Sequence, residues 1–224
     1  MAVIPIRSKS DLTVGLEKIS ENKAIKHQRK LIDAWEPKSD VTSLRHGNKI
    51  IGGMCAASSI IINGLFRRKL KLYDRGLVLT SVYSLAGPSI LGSFLYEKSI
   101  TEDLMLYKHG CPLCYELKAA ALINTTAILF PIITMPILNL GCAASLGLRV
   151  PYLTEVGELA KFWINVVKPA SKHLATMFVM NSFIASMLAR KQANSMDIIA
   201  KVVLLVQKDI REQETFSMIE QTEC

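Results

Sequence analysis

Charged residues are scarce in this sequence. Asp, Glu, Lys and Arg make up 21% of its 224 residues, whereas hydrophobic residues make up 50%, and the mean hydropathy is +0.28. This balance excludes a disordered or fibrous chain, and it is too apolar for an ordinary soluble domain. The net charge of +8 would suit either the phosphates of a nucleic acid or an anionic membrane surface.

Common catalytic and nucleotide-binding motifs are also absent. The sequence contains no G-x-G-x-x-G, P-loop, G-x-S-x-G or H-E-x-x-H pattern, and its four histidines, His27, His46, His109 and His173, are scattered. We therefore assign no catalytic, cofactor-binding or metal-binding residue and no cofactor. Nucleic-acid binding is not predicted either, because the basic residues flank apolar stretches instead of alternating with aromatic ones.

Four stretches contain no charged residue: 50–66, 76–96, 119–148 and 173–189. An α-helix needs about 20 residues, with a range of about 17 to 25, to cross a hydrocarbon core about 30 Å thick. The sequence therefore predicts an all-α, polytopic membrane protein with about four transmembrane helices. The first and fourth stretches are short, so their flanking Lys and Arg would have to snorkel to the headgroups. The alternative is a soluble bundle with long buried helices, but the stretches show no polar stripe of helical period.

The third stretch is longer than the membrane requires. Pro131 and Pro136 lie within it, and each removes a backbone hydrogen-bond donor. We therefore predict a kink, a tilt or an early end near residues 139–141, which gives a third span of about 119–141.

The chain is thereby divided into three parts. Residues 1–49 form a soluble basic head with a polar helix over residues 11–30, residues 50–189 form the four-helix transmembrane domain, and residues 190–224 form a tail. The apolar run at 202–206 predicts an amphipathic or docking helix in the tail. Residues 98–118 are expected to form a polar loop. The excess of Lys and Arg favours both termini on the interior side, although counting only residues near the spans removes most of this bias.

Small and amide-bearing residues occur inside the predicted spans. Gly52-x3-Ala56 and Gly53-x3-Ala57 place small residues on one helix face, which predicts close helix packing within the molecule. The four amides could line a translocation path, but amides between membrane helices more often hold the helices together. These amides are Asn63, Asn124, Asn139 and Asn181. A coupled transporter would also need an acidic or basic residue within a span, and the spans contain no Asp, Glu, Lys or Arg.

Cys111-Pro112-Leu113-Cys114 is the local motif with most chemical potential. A C-x-x-C at the start of a helix can lower a thiol pKa and cycle between dithiol and disulfide, and Pro112 suits a helix start. Cys111 and Cys114 are thus a candidate redox or structural pair. A thiol oxidoreductase would generally need a second exchanging pair, and a closed zinc site would need a fourth ligand besides His109 and this pair.

The first predicted span ends in Asn63-Gly64-Leu65-Phe66-Arg67-Arg68 and is followed by Lys69 and Lys71. Basic residues beside a span are in the first place a topology anchor, and cardiolipin-type headgroups or an acidic partner are alternative ligands. This element resembles one in the transmembrane protein 126 family. The likeness continues in order, with similar spacing, over residues 45–190. It includes Cys111 and Cys114, Phe130-Pro131, residues 146–152, Phe162-Trp163-Ile164 and Lys168-Pro169.

The resemblance implies a multi-pass protein of the mitochondrial inner membrane that helps to assemble respiratory complex I and is not an enzyme. Its partners would be complex I membrane-arm subunits and other assembly factors. The candidate interaction or anchor residues are Asn63, Leu65, Phe66, Arg67, Arg68 and Lys69. The head and the tail depart from the family, so contacts made there cannot be transferred. A membrane thiol oxidoreductase that uses the cysteine pair and a small-molecule transporter are the alternative functions.

Overall fold

The computed structural model describes residues 20–72, 76–108, 111–145, 147 and 156–222, and within these ranges every regular element is helical. The helices are α1 (Glu21–Ala34), α2 (Thr42–Leu70), α3 (Leu77–Tyr96), α4 (Glu102–Met105), α5 (Pro112–Asn124), α6 (Phe130–Ser145) and α7 (Val156–Thr222). A 3-10 turn at Lys38–Val41 precedes α2. The prediction of an all-α fold is confirmed.

Three helical segments are long and apolar enough to cross a membrane: Lys38–Leu70, Leu77–Met105 and Pro112–Ser145. They contain the first three predicted spans. The fourth predicted span, 173–189, does not meet this description among the described residues, so the count of about four becomes three. The physical reason is that its polar residues, which include His173 and Asn181, together with the flanking Lys172 and Arg190 make the segment less apolar than the other three.

The 173–189 segment nevertheless keeps an apolar surface. It lies in the middle of α7, where Phe178, Val179, Met180 and Phe183 are all more than half exposed. Such a surface would suit lipid or a partner helix. A fourth crossing therefore remains a prediction.

The polar connection that the sequence suggested is largely helical instead. A π-helical turn at Glu97–Thr101 joins α3 to α4, and α5 begins at Pro112, so most of the predicted loop at 98–118 is helix. Its charged residues form ion pairs with nearby side chains; Lys118 Nζ, for example, lies 2.8 Å from Asp103 Oδ2. In a bare sequence this polar composition is indistinguishable from that of a loop.

The long third stretch also remains helical further than predicted. A π-helical turn at Thr125–Leu129 directly precedes Pro131, and α6 then continues through Pro136 to Ser145. The π turn relaxes the helix where the missing proline N–H would interrupt the i→i−4 series. The helix therefore does not end near residues 139–141, whereas the kink and the tilt, the other two predicted alternatives, remain predictions.

The N-terminal helix is shifted from its predicted position. The sequence predicted 11–30, whereas α1 spans Glu21–Ala34; residues 11–19 lie outside the described residues. Ile25 and Ile32 of α1 are buried in the larger apolar cluster of the bundle. At the polar edge, Glu21 Oε1 accepts a hydrogen bond from Lys108 Nζ at 2.9 Å, and Arg29 pairs with Glu97. The head therefore packs on the bundle.

Two apolar clusters form the core. The larger one joins α1, α2, α3, α5 and the middle of α7, and includes Ile51, Tyr96, Ile123 and Met196. The smaller one contains Ile62, Phe66, Met135 and Val166, from α2, α6 and the beginning of α7. Helix α7 thus packs along the whole bundle, and Gln192, Met196 and Ile199 beyond the predicted span are almost completely buried.

Candidate interaction surfaces

The basic run at the end of α2 forms a defined helix terminus. Lys71 adopts a left-handed conformation with φ 52°. Its N–H donates to Arg68 O at 3.3 Å, and the N–H of Leu72 donates to Arg67 O at 3.2 Å, which is a Schellman motif. Leu72 is buried and completes the motif. Basic side chains here also interact favourably with the negative end of the helix dipole.

The six predicted anchor residues separate into two groups. Asn63, Phe66 and Arg67 are buried, whereas Leu65 is half-buried and Arg68 and Lys69 are exposed. The interaction role assigned to all six remains a prediction, but the structure offers only the second group to a partner.

The three buried residues hold α2 to its neighbours. Asn63 Oδ1 accepts a hydrogen bond from Asn139 Nδ2 of α6 at 2.9 Å, and Arg67 Nη1 donates to Thr80 Oγ1 of α3 at 2.8 Å. Phe66 is part of the smaller apolar cluster. Three of the six predicted anchor residues therefore stabilise the fold.

Arg68 lies between two surface grooves that flank the end of α2. We name them the α2–α3 groove and the α2–α7 groove. Ile60, Asn63, Gly64, Arg67, Arg68, Lys71, Leu77 and Ser81 line the α2–α3 groove. Ile61, Leu65, Arg68, His173, Thr176 and Met177 line the α2–α7 groove. Both grooves are lined by apolar side chains together with Arg68, and the α2–α3 groove also by Arg67 and Lys71.

The cysteine pair is at the start of α5, as predicted. Pro112 is the first residue of α5 and Cys111 caps it, with Cys111 Sγ accepting a hydrogen bond from the backbone N–H of Cys114 at 3.4 Å. Both cysteines are exposed free thiols. Hydrogen bonds from the side chain and the backbone of Cys114 lower the pKa of Cys111.

The other described cysteines lie apart from this pair. Cys55 is buried in α2, with its sulfur 3.6 Å from Thr126 Oγ1, and Cys142 is in α6 beside Gly76. Among the described residues, no three His, Cys, Asp or Glu side chains are grouped so that they could hold a metal ion. His109 lies outside the described residues.

The four amides inside the bundle all make hydrogen bonds between helices. Besides the Asn63–Asn139 pair, Asn124 Nδ2 donates to Ser182 Oγ at 2.8 Å and Asn181 Nδ2 donates to Ser58 Oγ at 3.2 Å. These bonds join α2 to α6, α5 to α7, and α2 to α7. The amides therefore hold the helices together, which is the interpretation that the sequence favoured.

The two small-residue patterns in α2 have different environments. Gly52 and Ala56 are buried, and a Cβ at Gly52 would lie 2.7 Å from Ser93 Oγ of α3, so this face requires close helix approach. Gly53 and Ala57 are exposed, and a Cβ at Gly53 would have no neighbour within 4 Å. Packing within the molecule is thus confirmed for the first pattern and is wrong for the second, which remains an open face.

A polar cluster at the opposite end of the bundle was missed from the sequence. Tyr96 Oη donates to Gln192 Oε1 at 2.9 Å, and Gln192 Nε2 donates to Ser43 O at 3.1 Å. Gly47 leaves the room that the Gln192 carboxamide occupies. These residues come from three distant parts of the chain, so no local spacing could have indicated the cluster.

The last part of α7 exposes a dense apolar surface. The prediction of a helix at the apolar run 202–206 is confirmed. The exposed apolar side chains, 39% to 62% accessible, are Val202, Leu204, Leu205, Val206 and Ile210. Only Val203 of this run packs against the larger cluster. The docking role of this surface remains a prediction.

Comparison with known proteins decides the family. A family model described as Transmembrane protein 126 matches residues 22–208. The chain belongs to the transmembrane protein 126 family. Transmembrane protein 126 of Drosophila melanogaster is 27% identical over 177 residues, which cover 78% of this chain and 79% of that protein.

Two mammalian members of the transmembrane protein 126 family show similar levels of identity. Transmembrane protein 126A of Mus musculus is 26% identical over 156 residues, covering 70% of this chain and 78% of the relative. The same protein of Rattus norvegicus is 24% identical over 177 residues, covering 79% and 87%. No solved structure matches.

The family match is longer than the resemblance seen in the sequence. It includes α1 and α7 as far as residue 208, whereas the resemblance covered residues 45–190. The expectation that the head and tail depart from the transmembrane protein 126 family is therefore wrong for residues 22–44 and 191–208. The apolar run 202–206 lies within the shared region.

Proposed function

We propose that this protein is a non-enzymatic assembly scaffold of the mitochondrial inner membrane that assists the biogenesis of respiratory complex I membrane modules. The family resemblance supplies the assembly role and the location. The observation that best supports a scaffold is the surface of α7. One side of this helix packs along both apolar clusters, while its apolar residues at 178–183 and 202–206 are exposed.

A scaffold needs a bundle that keeps its shape while its outer faces bind another protein. Here the interior polar groups connect the bundle's own helices, as in the bonds Asn139–Asn63 and Asn181–Ser58. The exposed Gly53 and Ala57 would let a client helix approach α2 closely, because small residues permit backbone contact in membranes. These features favour binding of membrane subunits over passage of a solute.

Deletion of the gene tests the assembly role. We expect native gels to show less complex I and an accumulating subassembly, with re-expression restoring the wild-type pattern. Normal complex I without a subassembly would contradict the proposal. Purification of the tagged protein in mild detergent should enrich newly made complex I membrane subunits and other assembly factors.

The α7 surface provides a matched test of the contact itself. Val202→Ser with Leu205→Ser should reduce client recovery, because both side chains are exposed and form no part of the core. The control is Lys201→Gln, an exposed position one residue earlier. Equal recovery of clients by the double variant and the control would remove this surface from the proposal.

Location and topology are tested separately. The protein should remain with mitochondrial membranes after carbonate extraction, and its recovery as a folded soluble protein would contradict the membrane assignment. If 173–189 crosses the membrane as a fourth span, we expect both termini on the matrix side, whereas three spans would place them on opposite sides. Protease protection of terminally tagged protein in mitoplasts would show this, since a terminus facing the intermembrane space would be digested.

A thiol oxidoreductase is the second candidate, and the cap geometry of Cys111 favours it. Its sulfur accepts a hydrogen bond from the backbone of Cys114, and both thiols are exposed. Replacement of both cysteines by Ser should then abolish rescue of the deletion strain. Full rescue by this double variant would exclude the redox function and leave the scaffold proposal untouched.

A further inference from the structure

The end of α2 presents an amphipathic surface whose two halves differ in chemistry. At its rim, Arg68 and Lys71 are exposed, and the described residues that line the α2–α3 groove include no carboxylate. Its apolar lining includes Ile60 and Leu77, which are 45% and 44% exposed. Ile60 precedes Arg68 by eight residues, so the apolar lining extends about 12 Å along the helix from the exposed guanidinium.

Arg68 also borders the α2–α7 groove, on the other side of the helix. The apolar residues that line the α2–α7 groove are Ile61, Leu65 and Met177. The exposed Arg68 guanidinium therefore borders both the α2–α3 groove and the α2–α7 groove. Lys38–Leu70 is a candidate membrane span, and its uncharged stretch 50–66 ends directly before Arg67. A membrane-spanning α2 would therefore hold the Arg68 guanidinium near the lipid headgroups.

We propose that an anionic phospholipid binds at the end of α2. Its phosphate contacts Arg68 and Lys71, and its acyl chains lie in the grooves beside Ile60 and Ile61. A guanidinium suits a phosphate because it offers several donors in a fixed plane. The apolar lining of the two grooves favours a lipid over a free phosphate or an acidic peptide, because neither of these would cover the apolar side chains.

The geometry also favours a lipid with more than one phosphate. Arg68 lines both grooves, whereas Lys71 lines only the α2–α3 groove. The two cationic side chains can therefore contact two different phosphates. Cardiolipin, with two phosphates and four acyl chains, would fill both grooves. Phosphatidylglycerol, with one phosphate, would fill one.

Lipid retention tests this site directly. The full-length protein in mild detergent would be mixed with vesicles of phosphatidylcholine alone, or of phosphatidylcholine with cardiolipin or phosphatidylglycerol. Native mass spectrometry then counts the lipids that remain bound. We expect cardiolipin to be retained most strongly, phosphatidylglycerol less, and phosphatidylcholine least.

Charge-neutral variants locate the site. Arg68→Gln with Lys71→Gln should weaken retention of cardiolipin about 30-fold, because each basic residue near an anionic surface contributes about fivefold. The control is Lys49→Gln with Lys201→Gln, which removes the same charge from exposed positions elsewhere. If the double variant does not fold, Arg68→Gln alone should weaken retention about fivefold.

Three results would overturn the proposal. They are equal retention by the double variant and its control, retention of phosphatidylcholine as strong as that of cardiolipin, and displacement of the lipid by inorganic phosphate. The site does not depend on the assembly role, so normal complex I in a deletion strain would leave it standing. Loss of lipid retention in turn would not contradict the scaffold.

Discussion

A close approach between two membrane helices predicts a large cost for a single added methyl group. A Cβ at Gly92 of α3 would lie 2.5 Å from Cys55 Sγ of α2 and 3.3 Å from Thr126 Oγ1 in the π-helical turn. Cys55 is completely buried, so the clash cannot be relieved toward solvent or lipid. Overpacking of this kind costs about 1–3 kcal/mol, of which the higher helix propensity of Ala offsets about 0.5–1 kcal/mol. We therefore expect Gly92→Ala to lower the free energy of unfolding by up to about 2.5 kcal/mol.

Gly53→Ala is the matched control, because a Cβ there has no neighbour within 4 Å. Replacement of an unconstrained helical Gly by Ala raises the free energy of unfolding by about 0.5–1 kcal/mol. The same gain applies at Gly92 and cancels in the comparison, so the two variants should differ by the overpacking cost of about 1–3 kcal/mol. Unfolding in mixed micelles with increasing denaturing detergent, followed by circular dichroism, measures the difference.

The cause of the loss is tested by removing the sulfur. Cys55→Ala in the Gly92→Ala background should restore part of the lost stability, although Cys55→Ala alone creates a cavity and should destabilise the protein. A double-mutant cycle gives this coupling. Stability of Gly92→Ala equal to that of Gly53→Ala, or a cycle without coupling, would refute the packing explanation.

Two further predictions concern hydrogen bonds. Asn139→Ala removes the bond to Asn63 between α6 and α2, and we expect a loss of about 1–2 kcal/mol in the same unfolding assay because a buried acceptor remains behind; unchanged stability would contradict this role. The lowered pKa of Cys111 means that its thiolate forms at lower pH than an ordinary thiol. Its alkylation rate should rise accordingly at lower pH. Cys114→Ala removes the side-chain hydrogen bond to Cys111 and keeps the backbone N–H, so it should shift the midpoint upward; identical midpoints would show that the Cys114 thiol does not act on the Cys111 sulfur.

The long uncharged helices could be predicted from the sequence, but the contacts between distant side chains could not. The stretches 50–66, 76–96 and 119–141 lie within helices long enough to cross a membrane, because an uncharged run of this length is typical of membrane helices. The stretch 98–118 was assigned to a loop since its ion pairs, such as Lys118–Asp103, depend on tertiary placement. A helix whose polar residues are paired has the same composition as a loop.

The candidate site shows the same division. Asn63, Phe66 and Arg67 belong to the motif that carries the family resemblance, yet their burial depends on partners in α3 and α6 that the motif itself does not contain. The helix start at Pro112 was predictable because proline acts locally. The cluster around Gln192 was not, since its partners Tyr96 and Ser43 are far away in sequence.

The uninterrupted course of α7 has a mechanical consequence. The helix continues as far as Thr222, and beyond Ile199, the last buried side chain among those that the structure describes, it extends for about 35 Å at about 1.5 Å per residue. A rotation of the membrane part by about 10° would displace the far end by about 6 Å. A protein bound near the end of α7 would therefore be displaced whenever the bundle tilts in its bilayer.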